Sequence, residues 1–145
     1  MGVQYQSRAT QPEPAREAAG GRKGLRVLVV DDEPGICSLL REVLSRDGHE
    51  VAAFSRSEEA VAGAEGEDYA VVLLDVMMPG MNGLQVLEAL RERLPRAIFV
   101  MMTGYPDSQM ATNCLEGGAM LCLRKPIHLA SLLDLVAGIA RERAA

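Results

Sequence analysis

Short apolar runs alternate with longer amphipathic stretches along this chain of 145 residues. The apolar runs, several of them rich in β-branched side chains, predict strands at residues 25–30, 50–54, 70–75, 97–102 and 119–123. Apolar residues at helical spacing predict helices at about residues 36–47, 57–66, 84–94, 108–117 and 129–139. Strict alternation of strand and helix predicts a parallel sheet with helices on both faces.

Polar residues follow several of the predicted strands at the point where each strand ends. For a five-stranded sheet of this doubly wound, flavodoxin-like (βα)5 class, we expect the strand order 2-1-3-4-5. That order makes the first and third strands neighbours, and it brings the carboxyl ends of all strands to one edge. We therefore expect one small site built from the residues at these ends, which are Asp31, Asp32, Asp75, Thr103 and Lys125.

Asp75 is the residue around which this predicted site is arranged. Four apolar residues lead directly into its carboxylate, and the Pro79-Gly80 turn follows soon after. A carboxylate in this position serves as a metal ligand, a nucleophile or a structural cap. Lys125 supplies a point charge for a phosphate oxygen, and Thr103 supplies a hydrogen bond. Together these groups make Asp75 a candidate nucleophile that forms an acyl phosphate.

The three aspartates also predict a metal site. Carboxylates packed together repel one another and stay ionised only when a cation lies among them. Oxygen ligands of this kind suit Mg²⁺, which keeps several of its waters and binds a phosphate oxygen. No Cys or His is expected nearby, which disfavours zinc. His49 and His128 are expected at the surface, and neither is placed to be a phosphodonor.

The composition differs between the first 24 residues and the rest of the chain. Residues 1–24 have almost no large apolar side chains, so we expect a disordered tail or a cloning remnant, with residues 25–145 forming one domain. The formal net charge is −5, and the first 24 residues contribute +2, which leaves −7 for the domain. An acidic domain argues against direct binding of nucleic acid.

The sequence also limits where the protein works. It has no apolar run long enough to span a membrane and no secretory signal. Its cysteines, Cys37, Cys114 and Cys122, are odd in number and lack the spacing of a metal site. We interpret them as reduced cysteines of a cytoplasmic protein without membrane contact.

Four motifs, in this order and spacing, resemble a bacterial response-regulator receiver domain over about residues 25–140. They are VVDDEP at 29–34, LLDVMMPGMNG at 73–83, MMTGY at 101–105 and KP at 125–126. The resemblance implies that Asp75 accepts a phosphoryl group from the phosphohistidine of a sensor histidine kinase. It further implies that Mg²⁺ is held by Asp32 and Asp75, by Asp31 partly through water, and by the main-chain carbonyl of Met77.

The resemblance also implies how the signal is read. Thr103 would move toward the phosphoryl group, Lys125 would pair with it, and the bond from Lys125 to Pro126 would be cis. The surface of the fourth helix, fifth strand and fifth helix would then change and act on an output domain, a downstream protein or a second copy of the chain. Such a domain is not an enzyme beyond its own phosphorylation and slow dephosphorylation.

Some residues depart from the family pattern. Cys122 stands where the family usually has an aromatic residue that swings inward, and Ile127 replaces the usual Phe after the Lys-Pro pair. Tyr105 is the nearest aromatic that could take over the switching role. Tyr105 and Met77 are bulky and lie where the family tunes the access of water to the acyl phosphate, so we expect slow self-dephosphorylation.

Several alternatives remain open at this point. The chain is expected to be either a stand-alone receiver or the receiver part of a longer regulator, because no output domain follows the fifth helix in this sequence. It could be a phosphorelay intermediate or a phosphorylation-independent binding receiver. An aspartyl-phosphate phosphatase of the haloacid dehalogenase type would need an acid at position 77, where this chain has Met77. A nucleotide-binding module would need a glycine-rich loop after the first strand, which is absent from the sequence.

Overall fold

The computed structural model describes residues 24–80 and 82–144. In this part of the chain, five strands alternate with five helices. In chain order they are β1 (Arg26–Val30), α1 (Pro34–Arg46), β2 (Glu50–Phe54), α2 (Ser57–Gly63), β3 (Val71–Asp75), α3 (Gly83–Arg93), β4 (Ile98–Thr103), α4 (Gln109–Glu116), β5 (Leu121–Arg124) and α5 (Leu129–Ala144). All strand pairs are parallel, and the order β2-β1-β3-β4-β5 confirms the predicted doubly wound fold.

The core has two layers, one on each face of the sheet. Side chains alternate between the faces of a strand, so Val27 and Val29 of β1 pack with α1 and α5, whereas Leu28 and Val30 pack with α2, α3 and α4. All four residues are fully buried. Burial of each such side chain contributes roughly 1.5–3 kcal/mol, which explains why the central strands are almost wholly apolar.

The neighbouring strands β1 and β3 create the crevice of the fold. The chain leaves β1 toward α1 on one face of the sheet, and it leaves β3 toward α3 on the other face. The two connections therefore diverge at the carboxyl ends of the strands, which is where open α/β sheets bind their ligands. Asp75 is the last residue of β3, and every residue of β3 is buried.

Several element boundaries differ from the sequence prediction: α5 runs on to Ala144 rather than ending near residue 139, and two other differences follow from glycines. Strand β5 begins at Leu121 rather than at residue 119, because the chain leaves α4 through Gly118, whose φ of +116° ends the helical path. Helix α2 ends at Gly63 rather than near residue 66, and Gly66 has a φ of +75° in the loop that follows. The prediction for residues 1–24 falls on residues that, apart from Gly24, lie outside the described part of the chain. Among the described helices, none combines the length and the apolar character needed to cross a bilayer.

The prediction that His49 lies at the surface is wrong. Its exposed fraction is 6%. The turn through Gly48, with a φ of +96°, folds β2 back beside β1 and carries the imidazole against the start of β1. There His49 Nδ1 accepts a hydrogen bond of 3.0 Å from the main-chain N–H of Leu25. His49 is therefore a structural residue of the sheet edge opposite to the crevice.

Candidate functional site

The first part of the candidate site lies where β1 runs into α1. Asp31 follows the last residue of β1 directly, and its side chain is fully buried. Its Oδ1 accepts a hydrogen bond of 2.9 Å from the main-chain N–H of Glu33, which shapes the turn into the helix. Asp32 is the least buried of the three aspartates. Pro34 then starts α1, as expected for a residue that suits the first helical turn.

Asp75 lies beside this turn at the end of β3. One carboxylate oxygen from each of Asp31, Asp32 and Asp75 lies within 4.8 Å of the other two. Asp75 is 5% exposed, and its Oδ1 accepts a hydrogen bond of 3.2 Å from the main-chain N–H of Met77. The predicted cluster of three carboxylates is therefore present in the structure.

Lys125 supplies the positive charge of the site. It follows β5 directly, and its Nζ lies 2.7 Å from Asp31 Oδ2, 3.2 Å from Asp75 Oδ2 and 3.3 Å from Glu33 Oε1. The peptide bond from Lys125 to Pro126 is cis, as the resemblance implied. Glu33 also belongs to this group, although it was not among the site residues predicted from the sequence, because it does not end or directly follow a strand.

Thr103 is joined to the site through the backbone. It is the last residue of β4, and its carbonyl accepts a hydrogen bond of 2.8 Å from the main-chain N–H of Lys125. Met102, the residue before it, is the register partner of Asp75. Thr103 is 1% exposed, and its Oγ1 accepts a hydrogen bond of 3.0 Å from the main-chain N–H of Tyr105. The hydroxyl is thus buried at the carboxyl edge of the sheet, one residue beyond the level of Asp75.

The charges of the site shift the acid–base properties of its members. Burial raises the pKa of the Asp75 carboxyl to about 6, and the nearby Asp31 carboxylate acts in the same direction. The Met77 N–H and the Lys125 ammonium oppose this rise without cancelling it. Burial alone would lower the pKa of Lys125, but its contacts with Asp31 and Asp75 raise that pKa above its ordinary value. At neutral pH the site therefore contains an ionised Asp75 carboxylate beside the Lys125 ammonium.

The loop between β3 and α3 forms one wall of the crevice. Asn82 caps α3: its side chain accepts a hydrogen bond of 2.8 Å from Gln85 N, and the Gln85 side chain accepts one from Asn82 N. Gly83 is required at the helix start because a Cβ there would collide with the carbonyl oxygen of Val76. These two features hold the loop close to the end of β3. The Met77 side chain, which follows Asp75 in this loop, is 62% exposed.

The donor set fits a hard divalent cation. Three carboxylates within 4.8 Å of one another carry more negative charge than one lysine balances, and oxygen ligands suit Mg²⁺. One thiol lies nearer than the sequence indicated, because Cys37 Sγ donates to the main-chain carbonyl of Asp31 at 3.2 Å. Burial and the Asp31 carboxylate raise the pKa of Cys37, so it stays a thiol and is a poor metal ligand. The chemistry of the donors therefore favours Mg²⁺ over zinc.

Comparison with known proteins identifies the family. Residues 27–137 match the family described as the response regulator receiver domain. The chain belongs to this family. The receiver is 36% identical over 125 residues to the transcriptional regulatory protein TcrA of Mycobacterium tuberculosis. That alignment covers 86% of the receiver and 49% of TcrA, so the chain spans about half the length of this relative.

Solved structures share the fold of the receiver. A CheY-like receiver domain protein from Methanospirillum hungatei JF-1 superposes with a TM-score of 0.78 at 28% identity, covering 84% of this chain and 98% of that one. A response regulator protein from Burkholderia pseudomallei superposes with a TM-score of 0.72 at 27% identity, covering 83% and 71%. That structure contains a phosphorylated aspartic acid, a calcium ion and citrate. The receiver is thus a regulatory domain of two-component signalling.

The departures from the family pattern have clear places in the structure of the receiver. Cys122 lies opposite Met101 in the sheet register and packs, half-buried, against the core beneath α2, α3 and α4. Ile127 packs against the core on the other face. Tyr105 is 76% exposed and therefore fills no space in the core. Packing beside β5 is thus provided by a small thiol where an aromatic ring is usual.

Proposed function

We propose that this receiver is a phosphorylation-controlled switch whose phosphoacceptor is Asp75. An Asp75 carboxylate oxygen would form the new bond to phosphorus, and the bond from phosphorus to the imidazole nitrogen of a kinase phosphohistidine would break. The observation that carries the proposal is the position of Asp75 among Asp31, Asp32 and Lys125 at the end of β3. The phosphorylated aspartic acid in the Burkholderia pseudomallei relative supports it.

Mg²⁺ is the cofactor of this proposal. Asp31, Asp32 and Asp75 would hold the ion, together with the main-chain carbonyl of Met77. When bound, it supplies positive charge for the oxygens of the transferring group. The clustered carboxylates support this assignment, because they otherwise repel one another at neutral pH.

Lys125 and Thr103 complete the proposed chemistry. The Lys125 ammonium, 3.2 Å from Asp75 Oδ2, would pair with an oxygen of the phosphoryl group. The Thr103 hydroxyl, which now accepts a hydrogen bond from Tyr105 N, would turn to donate to another phosphoryl oxygen. Phosphoryl transfer depends mainly on positioning and charge stabilisation of this kind.

The surface of α4, β5 and α5 is the proposed output surface. Phosphorylation would act on it through Thr103 and Lys125, whose backbones are joined by a hydrogen bond of 2.8 Å between β4 and the end of β5. The partners would be a sensor histidine kinase, and an output domain, a downstream protein or a second copy of the receiver. The domain would act in the cytoplasm, without direct contact with nucleic acid or membrane, and would be a regulator rather than an enzyme.

Two other functions fit the same fold. As a phosphorelay intermediate, the receiver would pass its phosphoryl group to a histidine phosphotransfer protein. As a phosphorylation-independent binding module, it would act through its surface alone. The first would use the same site on Asp75, whereas the second would leave the site unused.

The proposal is tested by intact mass spectrometry after incubation with acetyl phosphate, with and without Mg²⁺. The wild type should gain one phosphoryl group only when Mg²⁺ is present. Asp75→Ala should gain none, and Asp134→Ala, which removes an exposed carboxylate on α5, should behave as the wild type. A wild type that gains no mass under any condition would favour the phosphorylation-independent module.

A further inference from the structure

The Lys125 ammonium donates hydrogen bonds to Glu33 and Asp75 and lies in an ion pair with Asp31. An ammonium group has three N–H donors. Three carboxylates lie within reach of Nζ: Asp31 at 2.7 Å, Asp75 at 3.2 Å and Glu33 at 3.3 Å. A phosphoryl group that is to pair with Lys125 therefore competes with these carboxylates for the ammonium.

The three carboxylates are not equally able to leave. The Asp31 side chain is fully buried, and the Asp75 side chain, 7% exposed, is the proposed acceptor itself. The Glu33 side chain is 63% exposed and can swing into water at little cost. Glu33 is therefore the carboxylate that an incoming phosphoryl group displaces.

Glu33 is held in this place by the turn into α1. Its main-chain N–H donates to Asp31 Oδ1 at 2.9 Å, and its carbonyl accepts from the N–H groups of Ile36 and Cys37. It occupies the N-cap position of α1, yet its side chain forms no capping hydrogen bond with that helix. The side chain instead reaches Lys125, which lies 92 residues further along the chain. The Glu33 carboxylate thus contacts the proposed partner of the phosphoryl group, Lys125, and does not cap its own helix.

We propose that Glu33 occupies the place on Lys125 that the phosphoryl group needs, and so restrains the phosphorylation of Asp75. This inference rests on the proposed function of the site. Glu33 is a positioning residue, because it acts through Lys125 and not on the reacting atoms. Two effects would produce this restraint. The ion pair between Glu33 and Lys125 must break, and the Glu33 carboxylate repels an anionic phosphodonor.

The size of the effect follows from the exposure of the pair. Exposed ion pairs contribute between about 0 and 1 kcal/mol. A change of two- to five-fold in rate or affinity corresponds to about 0.4–1 kcal/mol at 1.36 kcal/mol per tenfold. Loss of the Glu33 carboxylate should therefore speed phosphorylation about two- to five-fold.

The test compares Glu33→Gln and Glu33→Ala with the wild type. Glu58→Gln is the matched control, because Glu58 is exposed at the same edge of the sheet, with its Oε2 3.2 Å from the position of a Cβ added to Gly80. Among the described residues, Glu58 makes no ion pair with Lys125. The control thus removes the same charge without removing the contact.

Three quantities are measured for each protein with Mg²⁺ present. They are the second-order rate constant for phosphorylation by acetyl phosphate, the Kd for beryllium trifluoride as a non-transferable mimic of the phosphoryl group, and the Kd for Mg²⁺ alone by calorimetry. Both Glu33 variants should raise the rate constant and tighten beryllium trifluoride binding about two- to five-fold. Neither should weaken Mg²⁺ binding, and Glu58→Gln should change the rate by less than about 1.5-fold.

The outcomes separate this inference from the proposed function. Equal rates for the Glu33 variants and Glu58→Gln would overturn the inference and leave the proposed function standing. Slower phosphorylation with weaker Mg²⁺ binding would also overturn it, because Glu33 would then assist the metal site. No mass gain in any protein would refute the proposed function itself. Equal urea midpoints for all variants would exclude a general effect on folding.

Discussion

Lys125 forms its shortest ion pair with Asp31, at 2.7 Å between Nζ and Oδ2, and not with the proposed acceptor Asp75. Asp31 is fully buried, so its charge depends on this lysine when no metal ion is bound. The lysine is therefore a structural cation of the site as well as a proposed partner of the phosphoryl group.

Removal of Lys125 should destabilise the metal-free receiver. In Lys125→Met the buried Asp31 carboxylate loses its nearest cation, and we expect a loss of about 2–4 kcal/mol in the free energy of unfolding in EDTA. Mg²⁺ should reduce this loss, because it supplies positive charge to the same carboxylates. Urea unfolding with and without Mg²⁺ measures both effects. Arg124→Met, which removes an exposed charge from the preceding residue, should have little effect in either condition.

The pKa of Asp75 predicts a pH-dependent effect of its neutralisation. Burial raises this pKa to about 6 from the ordinary value of 3.8, so the folded state prefers the protonated form. The contribution of Asp75 to stability therefore falls as the pH rises from about 4 to about 6, and stays low above that range. The side chain at position 75 cannot ionise in the variant Asp75→Asn. At pH 7.5 the free energy of unfolding of this variant should exceed that of the metal-free wild type by about 1–3 kcal/mol, and at pH 4 the two should be almost equal.

Unfolding curves in EDTA at these two pH values test this prediction. Asp134→Asn on the exposed face of α5 is the control, and its effect should not vary between them. An Asp75→Asn variant that is no more stable than the wild type at pH 7.5 would show that Lys125 and the Met77 N–H fully offset the burial of the carboxylate.

The places of Asp31, Asp75, Thr103 and Lys125 could be predicted because parallel topology relates sequence to space in a simple way. Each residue follows or ends an apolar strand, and the strand order brings those ends to one edge. The contact between Glu33 and Lys125 could not be predicted in this way. That contact depends on a side-chain direction set by the turn after β1 and joins residues 92 apart in sequence.

The environments of His49 and Cys37 also could not be predicted from the sequence pattern. The polarity of His49 predicted a surface position. Its Nδ1 instead accepts a hydrogen bond from the main-chain N–H of Leu25, which compensates for the loss of hydration on burial. Cys37 was interpreted only as a reduced cysteine, but helix α1 carries its thiol to the carbonyl of Asp31. Both outcomes depend on hydrogen-bond partners that hydrophobic periodicity does not report.

The exposed side chains of Met77 and Tyr105 predict slow loss of the phosphoryl group. They are 62% and 76% exposed and lie two residues after Asp75 and Thr103, respectively, where they would limit the approach of water. In the double variant Met77→Asn, Tyr105→Glu, polar groups would admit and orient water, and we expect hydrolysis several-fold faster. Decay of the phosphorylated mass after removal of the phosphodonor measures the rate. Met120→Asn, which changes an exposed Met near α5, should decay as the wild type does. A wild-type half-life no longer than that of the double variant would refute the prediction.

Thr103→Ala should separate phosphorylation from its readout. In the proposed function Thr103 adds one hydrogen bond to a phosphoryl oxygen, whereas the carboxylates, Mg²⁺ and Lys125 supply the nucleophile and the charge stabilisation, so the variant should still gain one phosphoryl group. The variant lacks the hydroxyl that would turn to donate to a phosphoryl oxygen. The conformational change at α4 and β5 should therefore be lost. Hydrogen exchange measured by mass spectrometry, with and without beryllium trifluoride, reports on α4, β5 and α5.

In the wild type we expect a change in exchange in α4 and β5 when the mimic binds, and in Thr103→Ala we expect mimic binding with little change in those elements. Thr112→Ala, on the exposed side of α4, is the control and should respond as the wild type does. An equal response in Thr103→Ala would mean that the signal reaches β5 through Lys125 alone. The backbone N–H of Lys125 donates to the carbonyl of residue 103, and this hydrogen bond does not depend on the side chain at position 103. Such a route would also explain how the receiver functions with Cys122 in place of an aromatic ring.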